Sequence, residues 1–119
     1  MIVAGFGFRS GAGFASLEAA LAQHGVVAVD ALAVPTDKVA LLAPLARAMG
    51  LPLLAIARDA LQSVTTHSRS PASLRAYGVG SVAEAAALAA AGPRALLLHS
   101  RRVSPDRMAT CAIAQGFAP

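Results

Sequence analysis

Residues 1–13 read MIVAGFGFRSGAG, an apolar run that passes directly into a glycine-rich turn. The pattern predicts a first strand over residues 2–8 and the start of a helix near Gly13. In α/β folds such a turn brings backbone N–H groups and a helix start together, which favours a bound anion. The predicted residues of this carboxylate or phosphate site are Gly5, Gly7, Arg9, Ser10 and Gly11.

Two familiar phosphate-binding motifs do not fit this turn. A dinucleotide fingerprint has similar glycine spacing, but it needs an acidic residue at the end of strand two, where this chain has Pro35. A phosphate-loop NTPase needs Gly-Lys-Ser/Thr after the turn, and the sequence has no such triplet there. Close strand–helix packing without any ligand also explains glycines of this kind, and that alternative stays open at this point.

Apolar runs alternate with helical patterns along the rest of the chain. Strands are predicted over residues 31–34, 53–56, 95–99 and 108–114, and helices over 13–24, 37–49, 58–64, from 71 and 81–91. Thr36 is predicted to cap the second helix, and Ser81 with Glu84 to form a capping box. Ser10 is either a ligand of the anion site or only the N-cap of the first helix. We therefore predict an α/β fold with a mainly parallel sheet, helices on both faces, and an antiparallel final strand after a hairpin at residues 100–107.

The charge balance indicates a small anionic partner. Ten Lys and Arg residues outnumber six Asp and Glu, and nine of the ten are arginine, which suits bidentate recognition of carboxylate or phosphate. The chain has one Tyr, no Trp and no continuous basic stretch, so it lacks the stacking platforms and basic stripe of a nucleic-acid binder. A polyanionic small molecule fits better than nucleic acid.

The length of 119 residues is expected to give a single domain over residues 1–119. No apolar segment approaches the ~20 residues that span a bilayer, and the first apolar run is too short for a signal peptide. We therefore expect a cytoplasmic protein without membrane contact. A single cysteine, Cys111, excludes an internal disulfide, and the widely spaced histidines do not suggest a metal site.

The order of motifs resembles a known family. Residues 3–12 (VAGFGFRSGA), 50–53 (GLPL), 78–86 (GVGSVAEAA) and 109–114 (ATCAIA) are similar to successive segments of the CobE/CbiG C-terminal domain family of cobalamin biosynthesis. The resemblance covers essentially the whole chain. It implies a three-layer α/β/α sandwich with a mixed sheet of about five strands, a precorrin or corrinoid as small-molecule partner, no cofactor, and other cobalamin-pathway enzymes as protein partners.

Two functions stay open from this resemblance. Longer members of the family open a lactone ring on a cobalt-precorrin and release acetaldehyde, whereas this chain looks like the stand-alone form. The first hypothesis is a carrier or accessory protein that binds a precorrin through its carboxylates without transforming it. The alternative is a hydrolase acting on a precorrin lactone, with Ser10, Thr36 or Asp37 positioning water.

A precorrin carries acetate and propionate groups around an apolar macrocycle, so its site needs several cations on a concave, partly apolar surface. Parallel-sheet folds place ligands at the carboxyl ends of the strands. Besides the first turn, we expect three further segments at that edge. Their predicted ligand-binding residues are Thr36, Asp37 and Lys38 after strand two, Thr65 and Thr66 in the polar loop after strand three, and Arg101 and Arg102 at the hairpin.

Overall fold

A computed structural model describes residues 1–117, which contain five strands and five α-helices. The strands are β1 (Ile2–Phe8), β2 (Ala31–Pro35), β3 (Leu53–Ile56), β4 (Leu96–Val103) and β5 (Ala109–Gln115). The helices are α1 (Phe14–Ala22), α2 (Val39–Met49), α3 (Arg58–Gln62), α4 (Pro71–Tyr77) and α5 (Val82–Ala91), with a 3-10 helix over Thr36–Lys38 before α2. Within these residues no helix is both long enough and apolar enough to cross a membrane.

The sheet has the strand order β3-β2-β1-β5-β4. Strand β1 pairs in parallel with β2, and β2 with β3, while β5 runs antiparallel to both β1 and β4. Strand β2 is buried at every residue, as expected of a parallel strand covered on both faces. These pairings confirm the predicted α/β fold with a mixed sheet and an antiparallel last strand.

Helices cover both faces of the sheet, which confirms the three-layer arrangement. Alternate residues of a strand point to opposite faces, so neighbours such as Val3 and Ala4 belong to different apolar cores. Ala4 packs in the core under α1 and α2, with Leu17 and Leu45 of those helices. Val3 packs in the core under α5, where Ala86 is fully buried.

Helix α5 lies close on β1 because Gly5 has no side chain. A Cβ at this position would overlap the carbonyl oxygen of Ala83 and would lie 2.5 Å from the amide nitrogen of Ala87. Gly5 is itself buried. The prediction that Gly5 belongs to the anion site is therefore corrected. The alternative explanation, close packing of the strand against a helix, accounts for this glycine.

Two predicted helix caps are wrong. Helix α1 begins after Gly13 without a capping side chain from residues 1–117, so Ser10 does not cap it. Thr36 lies inside the 3-10 helix, and α2 starts only at Val39, again with no side-chain cap in the described part of the chain. The tighter 3-10 turn takes up the residues that the prediction had assigned to the first turn of α2.

The β4–β5 hairpin is shorter than predicted. Strand β4 continues to Val103, and the two strands are joined by residues 104–108. Arg101 and Arg102 therefore lie within β4 and not at the tip of the hairpin, because the pairing with β5 extends to Val103 opposite Thr110.

Candidate ligand-binding cleft

A cleft of about 270 Å³ opens at the carboxyl ends of β1 and β2. Its walls are the end of β1, the segment from Pro35 to Lys38, helix α4, the start of α5, and the β4–β5 hairpin. The chain leaves β1 toward β2 on one side, while the β4–β5 hairpin flanks β1 on the other. Ligands of open α/β sheets bind outside the carboxyl ends of the strands, which is where this cleft lies.

Four cations line the cleft: Arg9 at the end of β1, Lys38 in the 3-10 helix, Arg101 on β4 and Arg107 in the hairpin. Among residues 1–117, no aspartate or glutamate belongs to the lining. The Lys38 ammonium lies 5.6 Å from the centroid of the Phe8 ring, a cation–π contact that places this charge over an apolar surface. The cleft is therefore suited to an anion that also carries apolar groups.

Hydroxyl and apolar groups complete the lining. The apolar part comes from Phe6, Phe8, Ala72, Ala76, Val82 and Met108, and the hydroxyl groups from Ser70, Ser73, Tyr77, Ser81 and Thr110. Gly7 keeps the floor open, since a Cβ there would lie 3.0 Å from the Thr110 Oγ1 and 3.4 Å from the Val82 Cβ. Any larger residue at position 7 would narrow the cleft from below.

Of the predicted ligand-binding residues, the structure brings four to the cleft: Gly7, Arg9, Lys38 and Arg101. Ser10 and Gly11 lie beside it in the exposed turn, where the φ of +93° at Gly11 is readily adopted only by glycine. The backbone amides of that turn were predicted to face an anion. Two are already used, since the Arg9 amide donates to the Met108 carbonyl (2.9 Å) and the Ala12 amide to the Arg9 carbonyl (3.0 Å).

Asp37 lies beside the cleft and bonds to one of its walls. The Tyr77 hydroxyl donates to both carboxylate oxygens of Asp37, at 3.0 and 2.9 Å, and so links α4 to the 3-10 helix. Burial, and then the hydrogen bond and charge of Asp37, raise the pKa of Tyr77 to about 12. Asp37 and its exposed neighbour Thr36 are both outside the lining, because the side chain of Lys38 is the one that reaches it.

The remaining predicted residues lie elsewhere. Thr65 lines a separate groove near the end of α5, and the Thr66 hydroxyl donates to the Ser68 carbonyl within its own loop (3.0 Å). Arg102 points to the opposite face of the sheet from Arg101, because adjacent residues of a strand alternate. Its guanidinium donates to the Gln23 carbonyl at the end of α1 (3.4 Å). The predicted pairing of Arg101 with Arg102 in one site is therefore wrong.

Sequence reasoning missed Arg107 and the wall formed by α4. Arg107 adopts a positive φ of 61° in the hairpin, and the preceding Pro-Asp pair is a turn signal that predicts a bend but not which way the next side chain points. Helix α4 was predicted correctly to begin at Pro71, with Ser70 accepting the amide of Ser73. Nothing in its local pattern indicates that Ser73 and Tyr77 face the start of α5.

Glu84 connects three segments next to the cleft. The predicted bond from the Glu84 amide to the Ser81 hydroxyl is confirmed at 3.2 Å, but the carboxylate does not return to the Ser81 amide. It accepts instead from the amides of His67 and Ser68 (2.8 Å each), the Ser68 hydroxyl (2.7 Å) and the Arg101 amide (2.9 Å). The reciprocal half of the capping box is thus wrong, because better-placed donors from distant segments occupy both oxygens.

This carboxylate is fully buried yet charged. Burial alone would raise the pKa of Glu84, but the hydrogen bonds from Arg101, Ser68 and His67 together outweigh it and hold the pKa below its ordinary value. The backbone of Arg101 is anchored by this bond. Glu84 therefore fixes the point on β4 from which the Arg101 side chain extends to the cleft.

His24 and His99 meet on the other side of the sheet. Their Nδ1 atoms lie 3.2 Å apart, and His24 Nε2 lies 2.6 Å from the Cys111 carbonyl oxygen, to which it donates. Burial first, and then the charges of His99 and Arg102, lower the pKa of His24, although the bond to Cys111 opposes them. Within residues 1–117 no three His, Cys, Asp or Glu side chains come together as a metal site would require.

Comparison with known proteins adds sequence and structural similarity over almost the whole chain. The profile of the family described as Cobalamin synthesis G C-terminus matches residues 2–114. The crystal structure of CobE, a protein from the cobalamin (vitamin B12) biosynthetic pathway, aligns with a TM-score of 0.82 and 33% identity over 100% of this chain and 92% of that one. Cobalamin biosynthesis protein chiG from Agrobacterium tumefaciens aligns with a TM-score of 0.75 and 34% identity over 99% and 100%. Comparison with curated protein sequences gives no significant match.

Proposed function

The chain belongs to the Cobalamin synthesis G C-terminus family, and from this membership we propose that it binds a precorrin or related corrinoid through the ligand's carboxylates, as a carrier or accessory protein. It is a protein of cobalamin biosynthesis. The observation that carries the proposal is the lining of the cleft. Four cations from four segments, Arg9, Lys38, Arg101 and Arg107, converge there on a partly apolar surface.

The size of the cleft decides how such a ligand would sit. Sites that enclose a drug-sized molecule measure about 300–1,000 Å³, and the cleft of about 270 Å³ is below that range. A corrinoid is larger than a drug-sized molecule. We therefore propose that one edge of the macrocycle, with its acetate and propionate arms, enters the cleft while the rest of the ring stays outside. A ligand held by one edge remains accessible to the next protein, which suits a carrier.

Charge-assisted hydrogen bonds would supply most of the affinity. Each bond between a guanidinium and a carboxylate contributes about 1.5–3 kcal/mol, and arginine can form two parallel bonds to one carboxylate. The apolar residues Phe8 and Met108 would contact the hydrocarbon rim of the ring. Both kinds of contact recognise features that precorrins share, so the proposal names a ligand class and not one intermediate.

The hydrolase alternative has less support. Ser10, Thr36 and Asp37, which would position water in that mechanism, are outside the lining of the cleft, and the Asp37 carboxylate already accepts from Tyr77. A general base for hydrolysis is commonly a histidine or a carboxylate, and neither type lines the cleft among the described residues. The lining favours binding without turnover.

The test is an absorption titration with cobyrinic acid, whose ring carries free acetate and propionate groups, against its fully methyl-esterified form. We expect the acid to bind and the ester not to. Arg9→Gln and Arg101→Gln should each weaken binding by about 10-fold or more, the equivalent of about 1.5 kcal/mol. Arg47→Gln, which removes an exposed cation of α2, is the matched control and should leave the affinity unchanged.

Two results would contradict the proposal. Equal binding of acid and ester would show that carboxylates are not recognised, and unchanged affinity in Arg9→Gln and Arg101→Gln would place the ligand elsewhere. If a lactone-bearing precorrin releases acetaldehyde, as measured by mass spectrometry of the ring, the hydrolase would be supported instead.

A further inference from the structure

We propose that Asp106 is a positioning residue of the cleft, whose carboxylate locks the β4–β5 hairpin onto α1 and thereby holds Arg107 and Met108 in the cleft wall. The proposal rests on the proposed function for the identity of the ligand. Its structural basis is a set of hydrogen bonds outside the cleft lining. Asp106 itself does not contact the ligand in this arrangement, and it acts through its neighbours.

Three donors from different parts of the chain converge on the Asp106 carboxylate. The Ser16 hydroxyl on α1 donates at 2.6 Å, the Ser104 hydroxyl at 2.5 Å and the Met108 amide at 3.1 Å. Ser16 and Ser104 are both buried. One carboxylate therefore joins the residue before the turn, the residue after it, and a helix 90 positions away in sequence.

The backbone of the hairpin needs such support. Arg107 has a φ of 61°, a conformation that residues other than glycine adopt only at a cost. Its amide donates to the Ser104 carbonyl at 2.8 Å, which closes the turn. The bonds of Asp106 to Ser104 and Met108 bracket Arg107 on both sides. This bracketing keeps Arg107 in the conformation that directs its side chain into the cleft.

The hairpin that Asp106 holds also contacts the turn after β1. The Arg9 amide donates to the Met108 carbonyl at 2.9 Å, and the Met108 methyl group would lie 3.5 Å from a Cβ at Gly11. The hairpin and the turn after β1 therefore support one another, and each contributes one cation to the mouth of the cleft. A hairpin that shifted would displace both Arg9 and Arg107.

The negative charge of Asp106 allows a positioning role to be distinguished from a purely electrostatic effect. Hydrogen bonds from Ser104, Ser16 and the Met108 amide lower the pKa of Asp106, so the group is ionised at neutral pH. Asp106 is the sequence neighbour of Arg107, and a negative charge beside the cleft should by itself weaken the binding of an anion there. Removal of Asp106 is therefore expected to weaken binding if the group acts as a lock, and to strengthen binding if its charge is all that matters.

The experiment compares Asp106→Ala and Asp106→Asn in titrations with cobyrinic acid, together with amide hydrogen exchange at Met108 and at Ala109, whose amide donates to the Ser104 hydroxyl (3.1 Å). Asp106→Ala should bind about fivefold or more weakly, the equivalent of about 1 kcal/mol, and should exchange faster at both amides. Asp106→Asn should restore both properties, because its amide can accept from Ser104 and Met108 and donate to the Ser16 hydroxyl. Asp59→Ala removes an exposed charge of α3 and is the control, with no loss of affinity expected.

Equal or tighter binding by Asp106→Ala would overturn the proposal, as would unchanged exchange at Met108 and Ala109. Should Asp106→Ala fail to fold, Ser16→Ala removes one of the three bonds without changing the charge, and it should reproduce both effects in weaker form. If the wild-type protein binds no corrinoid, the proposed function fails. The exchange rates of the variants then decide whether the lock exists.

Discussion

Replacing Glu84 by glutamine removes the negative charge from a fully buried side chain that accepts four hydrogen bonds. One oxygen of the new amide can still accept from the amides of His67 and Ser68. The other oxygen becomes an NH2 group that faces the Ser68 hydroxyl and the Arg101 amide. The hydroxyl can rotate and accept, but the Arg101 N–H is left opposite a donor with no acceptor.

The cost follows from these changes. One unpaired buried donor costs about 1–3 kcal/mol, and two hydrogen bonds that pass from a charged to a neutral acceptor lose about 1 kcal/mol each. Relief from burying a charge offsets part of this loss. We expect Glu84→Gln to lower the free energy of unfolding by about 2–4 kcal/mol at pH 7. With a urea m-value of about 1.5–2 kcal/mol/M, the midpoint should fall by about 1–2.7 M.

The effect should depend on pH in a defined direction. Because hydrogen bonding lowers the pKa of Glu84 in the folded state, its stabilisation is complete above the ordinary value of 4.5 and is lost as the pH falls through the folded pKa. The difference between wild type and Glu84→Gln should therefore be largest at pH 7 and shrink below about pH 4.5. Urea unfolding followed by circular dichroism at pH 7, 4 and 3 measures it.

Glu18→Gln is the matched control, because Glu18 is an exposed residue of α1. Its effect should stay within about 0.5 kcal/mol, as for most surface substitutions. A difference below about 0.5 kcal/mol for Glu84→Gln at pH 7, or one that persists unchanged to pH 3, would refute the reasoning.

Three further predictions concern single positions. Gly5→Ala should lower the free energy of unfolding by at least about 2 kcal/mol, since the added methyl overlaps the backbone of α5. In the control Gly13→Ala the methyl enters open space, so the loss should be no more than about 1 kcal/mol. Equal melting temperatures of the two variants would contradict this. Tyr77 is the single tyrosine, so absorbance titration should give its pKa of about 12, and Asp37→Asn should move that pKa part of the way back toward 10.0. A wild-type pKa of 10.0 would be inconsistent with the hydrogen bond between Tyr77 and Asp37. Burial raises the pKa of the Cys111 thiol, so a thiol reagent should label the protein only as it unfolds in denaturant, and rapid labelling of the native state would count against a buried thiol.

Local patterns in the sequence predicted most of the elements. Strand β1 and strand β3 begin and end at the predicted residues, because apolar runs bounded by glycine, proline or charged residues leave little choice of boundary. Helix α4 begins at the predicted Pro71, and Gly50 ends α2 in the left-handed conformation. These signals act over a few residues, so a single sequence is enough to recognise them.

The site was predictable only in its position. The carboxyl ends of β1 and β2 follow from parallel strands, and so does the placement of Arg9 and Lys38 there. The sequence could not show which of Arg101 and Arg102 lines the cleft, because this depends on where β4 ends and on which face of the sheet each residue lies. The different roles of two glycines in β1 could not be predicted either: Gly7 keeps the cleft open, while Gly5 lets α5 approach the sheet.

The sequence by itself therefore determined the elements, the α/β class and the edge of the sheet at which cations collect. Tertiary structure alone decided that Glu84 holds the loop at residues 67–68 and β4 together, and that Asp106 joins the hairpin to α1. The reason is physical. Helix, strand and turn preferences depend on neighbours within a few residues, whereas a buried carboxylate takes whichever donors the packing of distant segments brings within reach.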